Sequence, residues 1–276
     1  MRVQEALRHL TVRLADGQID GPAREARLLL AHAMNVPHDR LVLMGHDELA
    51  PDVYDRAQAF CLRRTQGEPT SNIRGYREFY GRQFTVNHHV LDPRPETECL
   101  IVEALTAPFS TVLDLGTGSG CILLTLLAER SGISGTGGDL SPEALSVAKI
   151  NAKALGVSDR ATFVQSDWFD AIKGPFDLIV SNPPYITDAE MAELSPEVLN
   201  FDPHMALTPG GDGLDPYRIL AQQAQGYLTP RGRILCEFGW KQGADVTALF
   251  QDAGWSDVRI LPDLDGRDRV LAATRR

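Results

Sequence analysis

Two patterns of apolar and polar residues divide the chain. Up to about residue 70, apolar residues such as Leu7, Leu10 and Leu14 recur with helical spacing. Prolines and glycines there stand where helices begin and end, as Pro51 and Gly67 do. From about Thr111, short apolar runs alternate with helical stretches. The first pattern predicts a small helical bundle, and the second predicts a doubly wound parallel sheet with helices on both faces.

Strand-like runs occupy the second region and the junction before it. The runs in the second region are TVLDLG, ISGTGGDL, ATFVQSD, FDLIVSN, GRILCEF, DVRILPD and RVLAAT. No helix separates the last two, so they predict an antiparallel hairpin at the end of the sheet. In the junction, Phe79, Phe84 and Val86 alternate with polar residues around Gly81, which predicts a β-hairpin. We therefore expect a helical domain at residues 1–73, a hairpin linker at 74–92 and an α/β domain at 93–276.

Charge and cysteine content exclude several classes of protein. The net charge is −10, and binding to bare nucleic acid rests on Lys and Arg, so no direct nucleic-acid partner is expected. The four cysteines lie far apart and show no metal-binding or disulfide spacing. We see no signal peptide and no run of about 18 apolar residues. The expectation is a cytoplasmic protein with no metal site and no membrane contact.

A glycine-rich loop follows the first strand of the second region. Its residues are Gly116, Thr117, Gly118, Ser119 and Gly120, in the run DLGTGSG. Glycines let the backbone turn tightly and let a ligand approach closely. The run matches neither the dinucleotide fingerprint nor the phosphate-binding P-loop, and no Lys follows it. Asp114, two residues before the loop, disfavours a pyrophosphate and favours a cation or an amino group.

Acidic residues end the next two predicted strands. Asp139 lies about 20 residues beyond the loop, where a carboxylate can accept both hydroxyls of a ribose. Asp167 can accept from an adenine amino group, and Trp168 offers a flat apolar wall. Either acid alone could equally be a helix cap or a turn residue. Together with the loop they predict a nucleoside with a cationic, unphosphorylated tail, which is S-adenosylmethionine.

The fourth strand ends in the rigid turn Ser181-Asn182-Pro183-Pro184-Tyr185. The Asn182 side-chain carbonyl and the Pro183 backbone carbonyl can accept the hydrogens of a planar nitrogen, such as an amide or an exocyclic amine. Tyr185 can stack on the planar group. Such acceptors favour a transition state in which positive charge grows on that nitrogen, without a metal or a strong base. The alternative is a proline-rich strand end with a tyrosine packed in the core.

These motifs resemble the HemK/PrmC family, the peptide chain release factor glutamine methyltransferases. Further runs that carry the resemblance are GYREFYGRQFTV, VLDPRPETE, ALTPGGDGLDPYRIL and CEFGWKQG, and the match covers essentially the whole chain. The resemblance implies a Rossmann-like, seven-stranded class I methyltransferase domain, preceded by a helical domain that contacts the release factor and by a β-hairpin linker. It also implies methylation of the glutamine side-chain amide in the Gly-Gly-Gln motif of bacterial release factors, with S-adenosylmethionine as cofactor.

The resemblance also assigns residues to the site. It places the cofactor at Gly116–Gly120, Asp139, Trp168 and Asn182, and the glutamine pocket at Asn182–Tyr185. A second set, the PRPETE segment, lies against the active site in the family and matches Arg94, Pro95, Glu96 and Thr97. This chain has Asp92 where the family usually has an aliphatic residue, and Asp202-Pro203 where it usually has Glu-Pro.

Two rival functions follow from the same residues. The NPPY chemistry also serves methyltransferases that act on the amino groups of adenine or guanine in nucleic acid, although the acidic charge disfavours that substrate. A non-catalytic scaffold that binds the cofactor or a partner is the second rival, and the intact loop and Asn182–Tyr185 turn disfavour it. We expect a monomeric enzyme whose partner is a release factor.

Overall fold

A computed structural model describes residues 1–276, which divide into two units. One unit comprises Met1–Tyr76 with Pro196–Phe201, and the other comprises Arg77–Ser195 with Asp202–Arg276. The helices of the chain, in order, are α1 Val3–Asp16, α2 Pro22–Met34, α3 Pro51–Thr65, α4 Thr70–Arg74, α5 Glu98–Ala104, α6 Cys121–Glu129, α7 Pro142–Ala154, α8 Asp188–Met191, α9 Pro196–Phe201, α10 His204–Leu207, α11 Asp215–Gln223 and α12 Gly243–Asp252. Short 3-10 helices occupy Arg40–Met44, Pro95–Thr97 and Ala224–Tyr227. None of the helices is long and apolar enough to cross a membrane.

The first unit is helical, as its spacing of apolar residues predicts. Helices α2 and α3 begin at prolines, which fit a first helical turn because its N–H groups have no partner within the helix. The apolar face of α1, including Leu10 and Leu14, is fully buried against Leu29 and Leu30 of α2. This unit therefore has a hydrophobic core of its own.

The predicted hairpin forms a two-stranded sheet of β1 Tyr76–Phe79 and β2 Arg82–Thr85. Its turn residues, Tyr80 and Gly81, both have positive φ, at 49° and 70°. Two such residues suit the right-handed twist of a tight hairpin. Phe79 and Phe84 are buried and meet edge to face, with ring centroids 6.0 Å apart.

The second unit contains a seven-stranded sheet. Its strands are β3 Thr111–Leu115, β4 Ser134–Asp139, β5 Ala161–Gln165, β6 Phe176–Ser181, β7 Leu228–Glu237, β8 Ser256–Pro262 and β9 Asp268–Thr274. Their order across the sheet is β5-β4-β3-β6-β7-β9-β8. The first five strands in this order run parallel, and β9 runs antiparallel to both of its neighbours. The predicted parallel sheet and its terminal hairpin are confirmed.

Alternate residues of the central strands enter two separate cores. Val112 of β3 and Leu178 of β6 belong to one cluster, whereas Leu113 and Ile179 belong to the other. Successive side chains of a strand face opposite sides of its sheet, so both faces are covered. Strand β3 lies between β4 and β6, which places the point where the strand order reverses beside the glycine loop. Ligands of open α/β sheets bind at such a point, outside the carboxyl ends of the strands.

The fully buried Asn151 of α7 connects this sheet region to the hairpin. Its Nδ2 donates to the Ser119 carbonyl at 2.8 Å and to the Thr85 carbonyl at 3.1 Å, and its Oδ1 accepts from the Thr85 N–H at 2.7 Å. Replacing Asn151 by leucine leaves these backbone groups without partners. We expect a loss of about 2–4 kcal/mol in the free energy of unfolding, measured by urea titration. Replacement of the exposed Lys149 by alanine in the same helix is the control, and an equal effect of both changes would contradict this role.

Candidate active site

A cavity of about 300 Å³ opens at the carboxyl ends of β3 to β6 in the second unit. Many of the residues that the sequence assigned to the site line it: Arg94, Gly116, Thr117, Gly118, Ser119, Asp139, Asp167, Trp168, Asn182 and Pro184. They come from separate parts of the chain and meet because parallel strands present their carboxyl ends at one edge of the sheet. The cavity is mostly apolar, with a few polar groups, as is typical of small-molecule sites.

Five of the assigned residues do not line the cavity, and one of them, Pro95, is exposed at the start of the 3-10 helix before α5. Gly120 is buried beneath the loop, with a φ of 80°, and its N–H donates to the Thr117 carbonyl at 2.8 Å. Pro183 is buried within its turn, and Glu96 is exposed on the 3-10 helix before α5. Tyr185 is half-buried and packs against the core cluster that contains Ile179.

The glycine loop adopts a conformation that side chains rarely allow. The φ angles of Gly116 and Gly118 are 68° and 54°, in the left-handed region. The N–H groups of Gly116 and Thr117 donate to the Gly138 carbonyl at 2.9 and 3.0 Å. The loop is therefore tied to the end of β4, and it turns its backbone along the cavity wall.

A buried carboxylate lies beneath the loop. Asp114 of β3 is fully buried, and its Oδ2 accepts from the Thr117 hydroxyl at 2.7 Å and from the Leu123 N–H at 3.3 Å. Burial raises the pKa of Asp114 to about 7. Its Oδ1 is buried without a hydrogen-bond partner in the protein. Buried polar atoms are nearly always paired, so this oxygen is one position that a bound polar group or water can satisfy.

Asp139 presents a carboxylate at the end of β4. Its Oδ2 accepts from the Gly118 N–H at 2.8 Å, and its Oδ1 accepts from the Ser141 N–H at 2.9 Å. Each oxygen keeps a free lone pair for a ligand hydroxyl. Burial raises the pKa of Asp139, and the backbone hydrogen bonds partly oppose this shift.

The turn after β5 holds Trp168 in a strained backbone conformation. Its φ is 45°, which is unusual for a bulky residue. The Ser166 hydroxyl donates to the Trp168 carbonyl at 2.9 Å and accepts from the Ala171 N–H at 3.0 Å, and these contacts stabilise the turn. Trp168 both packs against the core and lines the cavity, whereas Asp167 is exposed at its edge.

The Asn182–Tyr185 turn is held by contacts on several sides. The Ser181 hydroxyl donates to the Leu115 carbonyl at 2.7 Å, and the Ile186 N–H donates to the Leu207 carbonyl at 3.0 Å. Gln242 Nε2 donates to the Tyr185 carbonyl at 3.0 Å. Burial, together with the negative charge of Glu237, raises the pKa of Tyr185, so its phenol stays protonated.

Thr97 joins the turn to the PRPETE segment. Asn182 Nδ2 donates to Thr97 Oγ1 at 3.2 Å, and Thr97 Oγ1 donates to Glu237 Oε2 at 2.6 Å. Thr97 lines the cavity, but Glu237 lies behind the wall and is 1% exposed. Only the resemblance to a family places Thr97 here, because no local pattern in the sequence marks it as a site residue.

The segment that follows α9 forms a further part of the wall. Pro203, Met205, Ala206 and Thr208 line the cavity, and none of them was assigned to the site from the sequence. Asp202, just before them, accepts from Arg94 Nη2 at 2.7 Å. Its carboxylate therefore reaches Arg94, although the family usually has the longer glutamate at this position. The signals for this segment in the sequence are Asp202-Pro203 and the motif ALTPGGDG, both of which come from the resemblance to the family.

The wall suits S-adenosylmethionine in three respects. The backbone of Gly116 and Gly118 allows close approach, and Asp139 can accept hydroxyls of a ribose. The apolar surface between them, which includes Leu140 and Trp168, fits a purine ring. No Lys or Arg accompanies the loop to hold a phosphate, which fits a cofactor without a phosphate group.

Comparisons with known proteins show which family the chain belongs to. The Methyltransferase small domain model matches residues 91–235, and the PrmC N-terminal domain model matches residues 5–75. A release factor glutamine methyltransferase of Cereibacter sphaeroides is 53% identical over 99% of this chain and 98% of its own length. One of Rhodospirillum rubrum is 45% identical over 96% and 82%. A methyltransferase from Pyrococcus furiosus has the same fold, with a TM-score of 0.55 and 16% identity over 79% of this chain and 97% of that one. The chain therefore belongs to the release factor glutamine methyltransferase family and is a methyltransferase that uses S-adenosylmethionine.

Proposed function

We propose that this chain methylates the side-chain amide nitrogen of the glutamine in the Gly-Gly-Gln motif of peptide chain release factors. The observation that carries the proposal is the position of Asn182 on the cavity wall. Its Nδ2 is occupied by Thr97, which leaves its Oδ1 as the acceptor for an incoming N–H group. The names of the relatives support a release factor as the substrate.

The residues of the cavity divide into a cofactor part and a substrate part. Gly116, Thr117, Gly118, Ser119 and Gly120 form the loop that would approach the cofactor, with Asp139 on its ribose and Asp167 and Trp168 beside its adenine. When bound, S-adenosylmethionine supplies an electrophilic methyl group. The side chain of Asn182 is proposed to accept one amide hydrogen of the glutamine, and the backbone carbonyl of Pro183 the other, although Pro183 itself is buried within its turn. Tyr185 supports the turn that carries both acceptors.

Hydrogen-bond acceptors are the appropriate groups for an amide nucleophile. The lone pair of an amide nitrogen is delocalised into its carbonyl, so the nitrogen attacks poorly. Acceptors aimed at its hydrogens stabilise the positive charge that grows there in the transition state. Pro183 and Pro184 keep the acceptors rigid, so little ordering is lost when the substrate binds. Arg94 and Glu96, near the cavity mouth, are proposed to contact the protein substrate around the glutamine.

The helical domain, residues 1–73, is proposed to recognise the release factor. It has a hydrophobic core of its own. Val42 and Leu43 on its 3-10 helix are 70% and 86% exposed. Contiguous exposed apolar patches mark surfaces that bind other proteins, and Val42 and Leu43 are the two most exposed large apolar side chains of this domain. The remaining proposals are a monomeric state, a cytoplasmic location and no direct contact with nucleic acid or membrane.

Asp139 provides a test of the cofactor part. Because hydrogen bonds to a charged group contribute about 1.5–3 kcal/mol, Asp139→Ala is expected to weaken binding of S-adenosylhomocysteine by roughly 10- to 100-fold. Calorimetric titration of both proteins measures the change. Asp170→Ala is the control, since it removes one exposed carboxylate from the neighbouring turn without altering the cavity wall. Equal dissociation constants for Asp139→Ala and the unchanged protein would remove Asp139 from the cofactor site.

A methyl-transfer assay with labelled cofactor tests the substrate. It offers a release factor, the same factor with the Gly-Gly-Gln glutamine changed to alanine, and a mixture of DNA and RNA. Label on the unchanged factor alone supports glutamine methylation. Label on nucleic acid would replace the proposal with an amino methyltransferase acting on adenine or guanine. Absence of label on every substrate would contradict both.

A further inference from the structure

Three polar groups form a chain that runs from the cavity wall into the core. Asn182 Nδ2 donates to Thr97 Oγ1 at 3.2 Å, and Thr97 Oγ1 donates to Glu237 Oε2 at 2.6 Å. Glu237 ends β7 and is 1% exposed, and Thr97 is 2% exposed. Nothing in the proposed methyl transfer uses Glu237 directly. Burial of a carboxylate costs folding free energy unless hydrogen-bond donors or opposite charges stabilise it.

The direction of the hydrogen bonds in this chain follows from the chemistry of its end group. An ionised carboxylate only accepts, so Thr97 must give its one hydroxyl hydrogen to Glu237. The Thr97 oxygen is then left with lone pairs alone, and only an N–H group can satisfy it. The Asn182 amide must therefore present Nδ2 to Thr97, which turns Oδ1 the other way.

A reversed Asn182 amide would disable the site. Its Oδ1 would meet the Thr97 oxygen with no hydrogen between them, and its NH₂ group would meet the N–H of a bound amide. An unsatisfied buried pair of this kind disfavours the reversed amide by a factor of roughly 10 to 100. We propose that Glu237, acting through Thr97, is a positioning residue that holds the Asn182 amide in the orientation able to accept from the substrate glutamine. The proposal rests on the proposed function and assigns a role to two residues outside the NPPY turn.

The ionisation of Glu237 makes this role measurable. Burial raises the pKa of Glu237 to about 7, and the hydrogen bond from Thr97 and the charge of Arg269 oppose the shift. The titratable and charged groups that face it are Glu96, Cys99 of α5, Cys121 of α6, Tyr185, Tyr217 of α11 and Arg269 of β9. Burial raises the pKa of Cys99 to about 11 and of Cys121 to about 12, so both thiols stay neutral near pH 7.

Protonation of Glu237 removes this constraint on the orientation of the Asn182 amide. Below pH 7 a neutral Glu237 can donate to Thr97, whose hydroxyl can then donate to Oδ1 of a reversed Asn182. A neutral carboxyl can also still accept, so the two orientations of Asn182 become comparable, and we expect kcat, at saturating cofactor and release factor, to fall about twofold as the pH drops through 7. The substrate amide does not titrate in this range. Asp114 also has a pKa raised to about 7, so the variants below are needed to attribute the change to Glu237.

Thr97→Val and Thr97→Ser form a matched pair, because valine keeps the shape and serine keeps the hydroxyl. Thr97→Val is expected to lower kcat roughly tenfold and to abolish the dependence of kcat on pH near pH 7, which is called the pH step below. Thr97→Ser is expected to keep the pH step and most of kcat. The isosteric Glu237→Gln cannot ionise and is also expected to lose the pH step, although Asp114 is still present. Urea unfolding and the dissociation constant of S-adenosylhomocysteine verify that each variant is folded.

An NMR titration gives a readout that is independent of activity. The Asn182 side-chain amide signal, assigned by its loss in Asn182→Ala, is expected to shift with a midpoint near pH 7 and to stop responding in Thr97→Val. A pH step in kcat that persists in both Thr97→Val and Glu237→Gln, or an amide signal that ignores pH, would overturn the positioning role. If the unchanged protein methylates no glutamine, the proposed function fails, and the amide signal alone decides whether Glu237 orients Asn182.

Discussion

Replacing Asn182 by alanine is expected to slow glutamine methylation by roughly two to three orders of magnitude, the usual effect of losing one preorganised polar contact with the transition state. Asn182 offers its Oδ1 at the cavity wall while its Nδ2 is engaged by Thr97. Alanine removes that acceptor and leaves the substrate N–H without a partner as its nitrogen becomes positive. A single-turnover assay with a release factor measures the loss directly, because it separates the chemical step from product release.

Two comparisons make the Asn182 result specific. The affinity for S-adenosylhomocysteine is expected to stay within a few-fold, since the glycine loop and Asp139 are untouched. Asn182→Asp keeps an oxygen acceptor but loses the donor to Thr97, so its rate is expected to fall between those of the alanine variant and the unchanged protein. A single-turnover rate that is the same in Asn182→Ala as in the unchanged protein would exclude Asn182 from the mechanism.

The parts of the site that the sequence predicts are those that follow a strand directly. In β6 the apolar run Leu178–Val180 is followed directly by Ser181 and Asn182, and strand β4 ends at Asp139. The parallel arrangement then brings these ends together without further information. Asp139, Trp168 and Asn182 all line one cavity for this reason.

Contacts between distant segments could not be predicted in the same way. Thr97 and Glu237 are 140 positions apart, and Arg94 and Asp202 are 108 apart. The first contact depends on β7 lying next to β6, which places Glu237 behind the turn. The sequence alone places Glu237 only near the end of the predicted strand GRILCEF. Such contacts are decided by the order of strands and the path of loops, which no local pattern records.

For Tyr185 the sequence allows two interpretations, a ring that stacks on the substrate and a ring that packs in the core. The sequence predicts that it stacks on a planar substrate group, and that remains a prediction. In the structure its ring packs against the core cluster and is outside the residues that line the cavity. Its backbone carbonyl is held by Gln242 at 3.0 Å. The position of the tyrosine therefore depends on residues that follow β7 as well as on the two prolines.

Gly213→Ala is expected to lower kcat by roughly 10- to 100-fold through this turn, because small displacements of catalytic groups have effects of that size. Gly213 has a φ of 73°, and a Cβ atom there would lie 2.3 Å from the Tyr185 carbonyl oxygen and 2.9 Å from Gln242 Nε2. Neither the backbone atom nor the engaged amide can move without breaking the hydrogen bond between them. Steady-state assays with saturating release factor measure the change.

Gly211→Ala separates the clash from the backbone strain. Gly211 has a φ of 59°, so alanine is strained at both positions by about 1–2 kcal/mol, but a Cβ atom at Gly211 would meet nothing within 4 Å. Both variants are therefore expected to lose stability in urea titrations, and Gly213→Ala alone is expected to lose most of its turnover. Equal kcat values for the two variants would mean that the Tyr185 carbonyl can shift without disturbing Asn182. In that case the rigidity of the turn resides in its prolines and in the Thr97 contact, and the GGDG segment serves only the fold.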